Sequence, residues 1–366
     1  MQTLTRQNLI DILYGCTILG TGGGGSLAEG IDLIDRALAK GKTFRLCSLD
    51  DVPDDDRIAT PYMCGAISPD TQEELAKYAD LPRTDESFCL LAYEEMERVM
   101  GQPFQGVIST ELGGGNTAQA FYVGAMLGKY IVDADPAGRS VPELQHSTYF
   151  IHGLPIAPIA LANAFGETAV LQSVVNDFRA EAMVRALAVV SQNSIGVVDH
   201  PCTGRELKPA VIPGAISQAR RIGEAHRLAK EQGLDPVAAI CASEGGRRLF
   251  TGRVESFNWD TVDGFTVGDV TLAGYGNDAG QTLRIWFKNE HIIAWLNGAY
   301  HVTVPDLICL IVHTSGEPVT NPYYTRDQAI DAFVLPAPSA WQSDKGLAVF
   351  GPRSFGFEVD YRPFTS

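Results

Sequence analysis

The chain is 366 residues long, more than a single ordinary domain holds and enough for two of roughly 100–200 residues each. Its 45% hydrophobic and 20% charged residues exclude a disordered or fibrous chain and provide for a full-sized core. The formal net charge of −16, with acids densest over residues 50–97 and no basic stripe, argues against nucleic acid and anionic membrane as partners and leaves a small molecule by elimination.

In chain order, a first helical segment runs into Gly20-Thr-Gly-Gly-Gly-Gly-Ser26, where glycine dominates. Leu27, Ile31, Ile34 and Leu38 then recur with the helical period, Ser26 stands as N-cap and Gly41 follows the end, so residues 27–40 are expected to form an amphipathic helix opening directly onto the glycines. Extended runs are expected at residues 43–49, 58–64, 105–110 and 130–132, with helices near 71–78, 87–100 and 117–128. That alternation predicts an α/β N-terminal domain, residues 1–165, built on a mostly parallel sheet covered by helices, with ligands bound where strand ends lead into helices. Helical patterns at 176–191 and 214–232 open a second part, residues 166–366. From about residue 248 it turns into β-branched and aromatic runs punctuated by Asn277-Asp, Asn297-Gly and Ser315-Gly-Glu-Pro, a mainly antiparallel, β-rich region. The seven cysteines are odd in number and lack C-x-x-C spacing, and Met1-Gln-Thr-Leu-Thr-Arg6 has no signal-peptide pattern, so a cytoplasmic protein with reduced thiols is expected.

Three clusters carry candidate chemistry. Gly22, Gly23, Gly24 and Gly25 offer bare backbone N–H groups and a helix dipole to an anion or a polar ring. No Gly-Lys-Ser/Thr follows and no strand precedes, so neither a Walker loop nor a dinucleotide fingerprint is present; nucleotide binding and a plain tight turn between packed helices both stay open. The second cluster, Glu111-Leu-Gly-Gly-Gly-Asn116, opens a helix with Asn116 or Thr117 as cap. Gly114, Gly115 and Asn116 are substrate-binding candidates there, and Glu111 is an acid/base or metal-ligand candidate or else a salt-bridged surface residue.

The third cluster, Asp133-Ala-Asp135-Pro-Ala-Gly-Arg139 followed by Glu143 and His146, comes right after a short apolar strand. Asp133 and Asp135 share a face if extended and can bind a cation or divide acid and base roles; Glu143 is a further catalytic candidate, and Arg139 either serves a ligand or neutralises an Asp. A divalent metal ion held by Asp133, Asp135 and His146 is a candidate cofactor of unspecified identity, since no H-E-x-x-H spacing announces zinc. Cys64 ends another strand and either borders the pocket or is simply buried. All three clusters are expected on one pocket, with the β-rich part as a wall to which Glu290, Asp306 and His313 lie close.

These clusters, together with Asn289-Glu290, Val304-Pro-Asp-Leu-Ile308, Ser315-Gly-Glu-Pro318 and Gly351-Pro-Arg-Ser-Phe-Gly356, resemble the DUF917 proteins, the S-methyl thiohydantoin desulfurase-like family, over about residues 7–362. Cys64 departs from that pattern, where a second Gly or a Met is expected. The resemblance implies an α/β N-terminal domain joined to a β-rich C-terminal one, and hydrolytic release of sulfide from a thiohydantoin ring. Under it, Asp133 or Asp135 orients water directly or through a metal, and Glu111 or Glu143 serves as acid. The glycine-loop N–H groups and Asn116 stabilise the tetrahedral anion, and Arg139 pairs with a substrate carboxylate. The family's association with hydantoinase and oxoprolinase genes implies a competing expectation, a noncatalytic partner of such a complex docking by its acidic surface; a homo-oligomer is open as well.

Overall fold

A computed structural model of the protein describes residues 1–66 and 71–364. The first sheet has nine strands: β1 (Gln2–Thr3), β2 (Arg45–Ser48), β3 (Arg57–Gly65), β4 (Gly106–Val107), β5 (Tyr130–Asp135), β6 (Ile159–Ala162), β7 (Thr168–Leu171), β8 (Ser194–Thr203) and β9 (Ile212–Pro213). Its order is β1-β2-β5-β4-β3-β8-β6-β7, with β9 paired to β5. The central β2, β5, β4 and β3 are parallel, and the flanking β1, β8, β6, β7 and β9 join antiparallel. The sheet draws strands from both sides of residue 165.

The second sheet is antiparallel throughout: β10 (Arg247–Val262), β11 (Phe265–Gly274), β12 (Thr282–Lys288), β13 (Glu290–Leu296), β14 (Ala299–Thr303), β15 (Leu307–Val312) and β16 (Ala329–Leu335), in the order β14-β13-β12-β11-β10-β16-β15. The expected α/β part and antiparallel β-rich part are thus both present. Among the described residues, no helix is long and apolar enough to cross a membrane.

Side-chain caps explain most helix starts. Ser26 accepts from the Glu29 amide at 3.3 Å, Ser87 from Leu90 at 3.4 Å and Asn176 from Arg179 at 3.0 Å, setting the first turns of helices Leu27–Ala39, Phe88–Met100 and Asp177–Val190. One expected start is corrected. The helix of the second glycine cluster runs Gly114–Leu127, so Asn116 and Thr117 lie inside it and Gly113 is the cap. Its terminal amides find an acceptor in the first glycine loop instead, which removes the need for a capping side chain there.

Candidate functional site

The two glycine clusters are packed against each other. The Gly24 carbonyl accepts from both the Gly115 and Asn116 amides at 3.0 Å, and a Cβ on Gly113 would lie 2.3 Å from the Gly24 Cα. On its other side the loop is held by the β-rich part, with the His291 amide donating to Thr21 O and the Asn321 amide to Gly22 O, each at 2.8 Å. A Cβ on Gly23 would sit 1.8 Å from Glu290 Oε1. The bare backbone is therefore wrapped around protein: it lets a second helix terminus and the Glu290 carboxyl come to within contact distance of the chain. Gly22 and Gly24, at φ +97° and +80°, also adopt a left-handed backbone that side chains disfavour.

A cavity of about 950 Å³ opens at this junction, lined by Gly22–Gly25, Glu111, Gly115, Asn116, Glu143 and His146 among the expected residues. It lies at the upper end of the roughly 300–1,000 Å³ of small-molecule pockets. Glu111 is buried there, its Oε1 accepting from Asn116 Nδ2 at 2.7 Å and its Oε2 from the Val141 amide at 2.9 Å. Burial outweighs those bonds and lifts its pKa to about 7. Asn116 in turn accepts from the Met63 amide at 2.9 Å.

The β12–β13 turn delivers Glu290. Asn289 occupies the left-handed region at φ 57°, which Asn tolerates, and its side chain and backbone replace ladder bonds with Thr266 at 2.9 and 2.7 Å. Only 2% exposed, Glu290 has an Oε2 with no hydrogen-bond partner among the described residues. Burial, reinforced by the charge of Glu111, pushes its pKa well above the carboxylate range, so it holds its proton.

Across the sheet, β8 carries Asp199-His200 at a bulge in its pairing with β3, and His200 adopts φ 44°. Asp199 Oδ2 accepts from Tyr62 Oη at 2.6 Å, and Oδ1 lies 2.9 Å from His200 Nδ1. Tyr149 stacks on the imidazole at 4.3 Å between centroids. His200 Nε2 is buried without a partner among the described residues, and Tyr62, Tyr149, Asp199 and His200 all line the cavity. In the tautomer whose Nδ1 donates to this carboxylate, the ring lone pair lies on Nε2.

Glu143 bonds to Lys288 and, at 2.6 Å, to Gln145; although burial pushes its pKa up, nearby His146 and Lys288 hold it below the usual range. His146 packs on Phe350 and Phe355, and burial drops its pKa to about 4, so it is neutral. Cys64 also borders the cavity, with burial lifting its thiol to about 12, where it is no nucleophile.

Gly114, Asp133, Asp135 and Arg139 are not among the cavity-lining residues. Gly114 instead lies beneath the loop, where an added Cβ would meet Thr17 Oγ1 at 2.5 Å and Leu27 Cα at 2.9 Å. Asp133 and Asp135 belong to β5 itself, which runs three residues further than expected. Asp133 accepts from the Ser217 amide at 2.9 Å and hydroxyl at 2.5 Å, capping the helix Ala215–Glu231. Asp135 is fully buried, accepts from the Gly138 amide at 2.7 Å, and is pushed well above the carboxylate range by burial.

Arg139 uses all five N–H groups inside the protein: on Ser140 O (3.0 Å), Pro305 O (3.0 Å), Asp306 O (3.2 Å), Thr21 Oγ1 (2.7 Å) and His291 O (3.3 Å). It ties the glycine loop to the β-rich part and keeps no N–H for a substrate carboxylate. Asp306 accepts from the Ala337 and Phe364 amides and Tyr361 Oη, and His313 pairs with Asp331 at 2.9 Å, so neither reaches the site. Asp133, Asp135 and His146 do not converge; among the described residues no group of three or more His, Cys, Asp or Glu side chains is placed to hold a metal. Sequence reasoning missed Asp199 and Tyr62 and considered His200 only as a distant recruit to a composite metal site; the only local signal for the pair is the Asp199-His200-Pro201 run in a β-branched strand.

A family model described as S-Me-THD-like, N-terminal domain, matches residues 7–173, and its C-terminal counterpart matches residues 175–364. The chain belongs to the S-Me-THD-like family. A crystal structure of a protein from Chromobacterium violaceum superposes on this S-Me-THD-like chain with a TM-score of 0.73 at 22% identity, covering 99% of this chain and 100% of its own, which shows a shared fold. No curated protein matches the sequence.

Proposed function

We propose that the cavity is the active site of a hydrolase that removes sulfur from a thiohydantoin-type ring, with His200 as base and Glu290, assisted by Glu111, as acid. The observation that carries this reading is the pairing, in one cavity, of His200 Nε2, backed by Asp199, with the proton-holding Glu290 Oε2, neither atom having a hydrogen-bond partner among the described residues. Acid and base roles separate when environments push protonation states apart. Family membership supports the ring class.

In this scheme His200 Nε2 takes one proton from water as the water oxygen bonds to the ring carbon bearing sulfur, and the C=S π electrons move onto sulfur. Glu290 protonates that sulfur. The second water proton returns to the carboxylate as C=O forms and the C–S bond breaks, and the His200 proton completes the leaving hydrogen sulfide. The sum is one water consumed, one hydrogen sulfide released and a ring carbonyl in place of the thiocarbonyl. The Gly115 and Asn116 amides take no part, being bonded to Gly24 O.

Sulfide release from 2-thiohydantoins by wild type, His200→Asn and Glu290→Gln tests the assignment. Wild-type turnover with losses of about 10²–10⁴-fold in both variants is expected. Full activity in either folded variant removes that residue from the chemistry, and ring binding without turnover by the wild type favours a noncatalytic role.

A further inference from the structure

The mouth of the cavity carries more negative charge than the proposed chemistry uses. Glu29 stands in the first turn of helix Leu27–Ala39, and Asp85 and Glu86 lie just ahead of Ser87, the cap of helix Phe88–Met100; all three are exposed and line the cavity. None of their carboxylates is in an ion pair among the described residues. The lining cations are already matched: Arg36 pairs with Asp32 at 3.0 Å and Arg185 with Glu181 at 2.8 Å. Arg83, two residues before Asp85, donates to Gln192 Oε1 and lies over the Phe165 ring. Glu317, by contrast, is matched by Lys230 at 2.8 Å.

An aromatic ring accompanies those charges. Tyr323 is 59% exposed and lines the same cavity, and Glu29 lies near enough that its charge, after burial, raises the pKa of the Tyr323 hydroxyl. A carboxylate beside an exposed ring is the chemistry that holds an ammonium or guanidinium group. The cavity is also lined by Glu290 and His200, 2% and 3% exposed, each with a side-chain atom that has no hydrogen-bond partner among the described residues, as a site for a polar ligand requires. At about 950 Å³ it holds a ligand far larger than a bare five-membered ring, so a substituent on the ring fits as well.

We propose, resting on the hydrolase reading for the ring but not for its charge, that the cavity selects rings whose substituent ends in a cation. The substituent is an ammonium or guanidinium group on an alkyl arm, held at the mouth by Glu29, Asp85 and Glu86 and by the Tyr323 ring. A cleft lined by one sign of charge concentrates ligands of the opposite sign and repels its own. An anionic arm finds no lining arginine without a carboxylate partner, and Arg139 spends its donors inside the protein. Exposed charges are screened over a Debye length of about 8 Å at physiological salt, so the preference is strongest in dilute buffer.

Calorimetric titration of the full chain with aminobutyl-, butyl- and carboxypropyl-substituted hydantoins, which carry a carbonyl where the thiohydantoin carries sulfur, reads the preference without turnover. The aminobutyl ring is expected to bind roughly ten-fold tighter than the butyl ring and the carboxypropyl ring more weakly than either, with both gaps closing as salt is raised. Glu29→Gln, Asp85→Asn and Glu86→Gln combined, all changes at exposed positions, are expected to bring the aminobutyl-to-butyl ratio to about one. Equal affinity for the three rings, tighter binding of the carboxypropyl ring, a ratio that the triple variant leaves intact, or no binding of any of them overturns the proposal. Sulfide release from the matching thiohydantoins is measured separately: charge-ordered binding without release upholds the charge preference and removes the hydrolase reading.

Discussion

Replacing Gly23 with alanine tests whether the glycine loop exists to admit Glu290. The backbone at Gly23 lies outside the left-handed region, so alanine brings no torsional strain of its own. Its Cβ would lie 1.8 Å from Glu290 Oε1, 2.6 Å from Cδ and 2.9 Å from Cγ, and Glu290 is buried with little room to retreat. Overpacking of this kind costs about 1–3 kcal/mol. Glu290→Ala deletes all three of the colliding atoms, and with them a buried carboxyl that lacks a full set of partners, so its own effect on stability should be small.

In the Glu290→Ala background, Gly23→Ala should then be neutral, or stabilising by about 0.4–1 kcal/mol through the less flexible unfolded chain. Urea denaturation of the four proteins of this cycle measures the coupling, expected at about 1–3 kcal/mol. Sulfide release should be lost in Gly23→Ala as in Glu290→Ala. An equal cost of Gly23→Ala in both backgrounds would refute the reasoning, since the clash would then lie elsewhere.

Other consequences are as specific. Glu111 has its folded pKa raised to about 7, so the protonated form stabilises the fold fully below about pH 4.5 and that contribution is lost as pH rises through 7, with a slope of about 1.4 kcal/mol per pH unit between the two. His146, lowered to about 4, acts oppositely as pH falls from 6.5, so the check is the difference between wild type and Glu111→Gln across pH 5–7, which should shrink as pH rises. Arg139→Lys should cost at least 2–4 kcal/mol, roughly, because Lys cannot replace five buried donations; KM for rings with and without a carboxylate should shift alike, and a selective loss for the carboxylate form would show direct contact. Asp133→Asn should cost only about 0.5–1 kcal/mol by weakening the cap on helix Ala215–Glu231 and leave activity per folded molecule unchanged, as a combined melting and turnover measurement shows.

What the sequence by itself determined follows from interactions that act over a few residues. The caps Ser26, Ser87 and Asn176, the apolar period of residues 27–40 and the change to alternating runs after residue 247 mark elements because hydrogen-bond capping and side-chain direction are local. The glycine clusters were legible as places of close backbone approach, and Glu111 as an acid/base or metal-ligand candidate beside one of them, but not its burial. What approaches them was not, because Glu290 arrives from far along the chain and Arg139 spends its donors on carbonyls of the other half. Asp133 and Asp135 looked richer in chemistry than Asp199-His200, yet the tertiary structure turned the first pair into a helix cap and a buried acid, and left the second with a buried nitrogen that has no hydrogen-bond partner among the described residues. Protonation depends on burial and on neighbours brought together by folding. Which carboxylates and which histidines line the cavity was therefore decided only when the chain folded.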